Sequence, residues 1–120
     1  MARVQTLSAT QFLADATQRR GLELVHLTSP LFSGCKYVSQ QMAELVDVFD
    51  PTIGFSEVTV ELQQASVIRA LGIEQLPTLL LLRDGEEIER FQAILSTEEL
   101  REVLETCASF YGSTTADDHA

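Results

Sequence analysis

Residues 67–86, "VIRALGIEQLPTLLLLRDGE", carry three signals in close succession, and their order decides the fold. "QQASVIRALGI", residues 63–73, reads as a short helix closed by Gly72. A glycine just past the last apolar position takes the left-handed conformation that ends helices. The four leucines 79–82 then form a short apolar run, with no polar residue alternating between them. Such a run predicts a strand covered on both faces. Asp84-Gly85 is a hairpin turn, and "IERFQ", residues 88–92, reads as the antiparallel return strand.

Working outward, "LELVHLT", residues 22–28, is a second nearly continuous apolar run and a second central strand. "FSEVTVEL", residues 55–62, sets Val58, Val60 and Leu62 against Thr59 and Glu61, the alternation of a strand. Three further helices surround these strands. Ser8 with Gln11 opens the first, which carries Phe12, Leu13 and Ala16 on one face and ends near Arg20, before Gly21. Residues 35–49, "CKYVSQQMAELVDVF", place Cys35, Val38, Met42, Leu45, Val46 and Phe49 on one apolar face. Ser96 and Glu99 form a capping box at the head of the last helix, whose buried stripe is Leu100, Val103, Leu104, Cys107 and Phe110. A first strand near Val4 completes the order (β)αβαβαββα. That order predicts an α/β domain spanning residues 1–112. Its mixed four- or five-stranded sheet has helices on both faces. Residues 113–120 lack an apolar pattern and are expected to form a flexible tail.

The net charge is −10, from 8 basic and 18 acidic residues. Such a chain repels a phosphate backbone, so nucleic acid is not an expected partner. The acidity reads as a device for solubility, or as adaptation to high salt or to a basic partner. No apolar run is long enough to span a membrane, and the N-terminus lacks an export-type apolar stretch. A cytoplasmic protein with no membrane association is expected. The two cysteines, Cys35 and Cys107, and two histidines, His26 and His119, show no metal-ligand spacing. No metal or organic cofactor is called for.

Three segments together resemble the thioredoxin family. "LVHLTSPLFSGCK", residues 24–36, matches the strand, loop and helix start that hold its redox motif. "VIRALGIEQLPTLLLLRDGE" matches its Gly-Ile, Ile-Pro-Thr and apolar strand. "ILSTEELREVLE", residues 94–105, matches its final helix. The resemblance covers roughly residues 4–108 and implies a thioredoxin-like fold, with a cis peptide bond before Pro77.

The departures bear on function. The family motif is W-C-G-P-C-K, and the aligned residues here are Leu31, Phe32, Ser33, Gly34, Cys35 and Lys36. The resemblance thus puts Phe32 in the position of the attacking cysteine and leaves Cys35 as the resolving one. Thr28 and Leu31 replace tryptophans, His26 replaces a buried aspartate, and Gln92 stands near the position of a substrate-docking glycine. Dithiol exchange needs two thiols within bonding reach, and Cys107, on the stripe of the last helix, is expected to be distant and covered. Two readings remain open. One is a protein-binding adaptor, assembly factor or chaperone-like module. It holds another protein or an extended peptide against Leu31, Phe32, Leu76, Pro77 and Gln92. The other is a monothiol oxidoreductase or redox sensor using Cys35, since free N–H groups at a helix start favour an anion. His26 reads either as a packed, hydrogen-bonded side chain or as a base paired with Cys35, directly or through water.

Overall fold

The computed structural model describes residues 3–112. The elements run β1 (Gln5–Ser8), α1 (Ala9–Ala14), β2 (Leu22–Thr28), α2 (Ser33–Phe49), β3 (Ile53–Thr59), α3 (Ala65–Leu71), β4 (Thr78–Arg83), β5 (Glu86–Phe91) and α4 (Thr97–Cys107). They build one five-stranded mixed sheet in the order β1-β3-β2-β4-β5. β3 pairs in parallel with β1 and β2, whereas β4 runs antiparallel to both β2 and β5.

The two leucine-rich strands sit side by side near the centre, with Leu24 opposite Leu81 and Val25 opposite Leu80. Successive side chains point to opposite faces, so each strand feeds two cores. Leu22, Leu24, Leu79 and Leu81 meet Met42, Leu45 and Phe49 of α2 and Leu100 and Leu104 of α4. On the other face Val25, Leu27, Leu80 and Leu82 meet Phe12 of α1, Val58 of β3, and Val67 and Leu71 of α3. Full burial of one such side chain is worth about 1.5–3 kcal/mol. The continuous apolar composition of β2 and β4 is therefore what holds both helical layers to one sheet.

Local chemistry sets the ends. Gly72 takes φ 63° at the close of α3. Ser96 and Glu99 make the reciprocal hydrogen bonds of a capping box at α4, and the Ser8 hydroxyl accepts the Gln11 N–H at α1. α1 stops at Ala14 rather than near Arg20 and is followed by a 3-10 turn, Ala16–Gln18. The chain must come back to the β4–β5 turn here: Gly21 N–H donates to the Asp84 carboxylate at 2.8 Å, and Asp84 N–H to the Gly21 carbonyl at 3.0 Å. Ala16 is exposed as a result. β3 begins at Ile53, ahead of the alternating stretch, and ends at Thr59, so Leu62 faces solvent. α4 gives way after Cys107 to a wider π turn, Ala108–Gly112, which leaves Phe110 exposed instead of buried. The expected tail, residues 113–120, lies outside the described residues. Among those residues, no helix is long and apolar enough to cross a membrane.

Gly85 marks the tightest approach. Its φ is 86°, and a Cβ there would lie 2.6 Å from the Ala16 carbonyl oxygen. Gly85→Ala is expected to cost roughly 1–3 kcal/mol of unfolding free energy. Urea denaturation checks this, and an unchanged midpoint would show that the 3-10 turn yields freely.

Candidate functional site

The site is built around Ser29, which follows β2 and is buried. Its N–H donates to Cys35 Sγ at 3.4 Å, its hydroxyl accepts the Leu31 N–H at 3.2 Å, and its carbonyl accepts the Phe32 N–H at 3.3 Å. Cys35 N–H in turn donates to the Phe32 carbonyl at 3.1 Å. These bonds fold residues 29–35 into a compact turn and start α2 at Ser33. Phe32 is the N-cap, with extended backbone and no side chain able to accept a helix N–H. The turn buries Cys35, which is 3% exposed, and sends Leu31 and Phe32 outward, at 73% and 41% exposure.

The proline loop closes the other side. The Leu76–Pro77 bond is cis, and the Thr78 hydroxyl donates to the Gln75 carbonyl at 2.7 Å. Gly34 brings α2 against this loop: a Cβ there would lie 2.9 Å from Ile94 Cδ1 and 3.3 Å from Pro77 Cδ. Pro77 is buried by this approach, while Leu76 and Gln92 are half-buried. Gln92 is held by its carbonyl, which accepts the Gln75 side-chain amide. Ile94, exposed at this same junction, is a surface residue the sequence reading passed over. A run of three apolar residues, Ala93-Ile94-Leu95, in the loop between β5 and the capping Ser96 was the available signal.

His26 lies beneath, fully buried on β2. Its Nδ1 is 2.9 Å from an oxygen of Glu57, directly opposite on β3. The Ser39 hydroxyl of α2 donates to that same oxygen. His26 Nε2 has no partner among the described residues. Burial pushes the His26 pKa below its ordinary value, outweighing the hydrogen bond and charge of Glu57, which act upward. The ring is thus neutral at pH 7, with Nδ1–H donating to the carboxylate. A hydrogen-bonded Cys35–His26 pair does not form in this structure. Sγ takes its hydrogen bond from Ser29, and the His26 ring spends its one N–H on Glu57.

Cys35 and Cys107 are both free thiols. Cys107 is half-buried on α4 rather than covered, and burial together with the Glu89 charge pushes its thiol up. Among the described residues no cluster of histidine, cysteine and carboxylate could hold a metal ion.

The thioredoxin family model matches residues 3–106. The chain belongs to the thioredoxin family. Thioredoxins of Staphylococcus saprophyticus and Staphylococcus haemolyticus are similar to it, each 24% identical over 91 residues. Each match covers 76% of this chain and 86% of the relative. In this thioredoxin-family chain the turn between β2 and α2 carries the exposed Phe32 ring and one covered thiol, Cys35.

The His26 environment makes stability depend on pH. Its folded-state pKa lies below the ordinary 6.5, so below that pH the unfolded chain binds more protons than the folded one. His26 therefore contributes stability fully above about pH 6.5, and that contribution is lost as pH falls toward the folded-state pKa. Unfolding free energy measured by urea titration should decline across this window in the wild type. His26→Gln should flatten the decline. Equal slopes in both proteins would place the titrating group elsewhere.

Proposed function

We propose that this protein is a binding module that has given up dithiol exchange and engages another protein or an extended peptide at the turn between β2 and α2. The observation that carries the reading is the Phe32 ring, exposed where the family resemblance sets the attacking thiol, in front of a buried Cys35. Disulfide exchange proceeds by thiolate attack, a mixed disulfide and a second thiol that resolves it. Phe32 cannot attack, and Cys107 lies on α4, a different element from the turn.

The chemistry of the surface supports binding. Ile94 is exposed at the Gly34–Pro77 contact, and Leu31 and Phe32 are large apolar side chains exposed on the turn that leads into Gly34. Clustered apolar exposure on a chain of net charge −10 is the mark of a partner site. Phe32 is the natural anchor, since aromatic side chains dominate interface energetics. The alternative monothiol chemistry draws support from the Ser29 N–H aimed at Sγ, which would stabilise a thiolate. It requires the turn to open before any disulfide can reach Cys35.

Affinity capture from the source cell with wild type and Phe32→Ala provides the test. Removing the ring should weaken partner binding by about 1–3 kcal/mol and leave the thermal midpoint almost unchanged, while neither protein reduces insulin. Intact capture combined with a large fall in stability would make Phe32 a plug over Cys35 and place the partner surface elsewhere. Robust insulin reduction would overturn the binding reading outright.

A further inference from the structure

A second surface lies away from the Phe32 turn, where edge strand β5 meets α4. A groove of about 560 Å³ opens there. Its floor is apolar, formed by Phe91 of β5, Leu95 of the following loop and Val103 of α4. Glu89, Glu99 and Glu102 also line it, and no basic residue does.

The charge of this groove is not compensated from within. Seven of the chain's 18 acidic residues fall between residues 86 and 105, against two arginines. One of those, Arg90, is committed to Glu87 and to the carbonyls of Leu71 and Gly72. Among the described residues Glu89 and Glu102 make no ion pair. Glu99 stays ionised, because the Ser96 N–H in the capping box holds its carboxyl below the usual range. Cys107, which also lines the groove, registers the field: the Glu89 charge adds to burial in pushing its thiol up. β5 is moreover the last strand of the sheet, so one of its edges is unpaired.

An apolar floor flanked by uncompensated carboxylates fits a ligand that is apolar on one side and cationic on the other. We infer that the β5–α4 groove is a docking site for a cationic amphipathic segment of a partner protein, with apolar side chains on Phe91, Leu95 and Val103 and lysine or arginine against Glu89 and Glu102. Charge complementarity of this kind selects partners and guides encounter, and amphipathic segments seated in grooves are a recurring recognition mode. The site is independent of the Phe32 surface.

Cys107 supplies the reporter. The intact protein is mixed with a synthetic amphipathic peptide of leucine and lysine. Alkylation of Cys107 by a neutral reagent is then followed by peptide mapping, and affinity by calorimetry. A cation hovering near the groove would offset the Glu89 charge, lower the thiol's pKa and speed alkylation. A segment seated on the floor blocks access and slows it. Alkylation should slow about tenfold or more at saturation. The Glu89→Gln/Glu102→Gln double variant, and separately a serine-for-leucine peptide, should each weaken binding about tenfold. Phe32→Ala should bind the peptide as the wild type does. Faster alkylation, equal affinity for the serine peptide, or affinity unchanged in the double variant would show diffuse attraction to an acidic protein and overturn the assignment.

Discussion

The pairing of β2 with β4 is the contact on which the rest of the structure depends. Both strands are buried on both faces, and their antiparallel register sets Leu24 against Leu81 and Val25 against Leu80. Because successive side chains alternate sides, one ladder supplies the floor for α2 and α4 on one face and for α1 and α3 on the other. A slip of one residue would exchange the two floors and carry buried His26 to the wrong face. The turn after β2 and the proline loop before β4 stand at the same end of this ladder, where Leu27 pairs with Thr78. That adjacency brings Gly34 against Pro77 and makes a surface of two loops distant in sequence.

The turn between β2 and α2 is held by its own backbone, one hydroxyl and the Cys35 sulfur. Ser29 makes three hydrogen bonds through backbone and side chain, and none of them needs a second thiol. The helix start, the burial of Cys35 and the outward course of Leu31 and Phe32 follow from those bonds. A phenyl ring stands at the tip of this scaffold, and the one thiol of the turn, Cys35, is buried behind it.

Much of this was legible in the sequence, for identifiable reasons. Two-sided burial leaves a composition signature, so residues 22–28 and 79–82 declared themselves as strands. Capping chemistry is local, so Ser96 with Glu99 marked the start of α4. What stayed hidden depends on tertiary partners. The end of α1 is set by Gly21 meeting Asp84, 63 residues away. The His26–Glu57 contact needs the β2–β3 register, and Gln41 is buried because its amide reaches the Leu95 carbonyl at 2.7 Å. Phe110 kept the helical spacing of the α4 stripe but was turned outward by the π turn after Cys107. In the candidate site, Leu31 and Phe32 could be picked out from their place beside the motif. Ile94 joins them only because Gly34 admits it, a packing fact that spacing does not carry.

The central claim is that the folded turn seals Cys35 and displays Phe32. Alkylation kinetics of the two thiols in native protein, resolved by peptide mapping and compared with the same chain in urea, test it most directly. Cys35 should react at least about a hundredfold more slowly in the native protein than in the unfolded chain, consistent with a thiol reached only through opening of the structure. Half-buried Cys107 should lose much less. Native labelling of Cys35 at a rate close to that of the unfolded chain would show an accessible, working thiol and contradict the account.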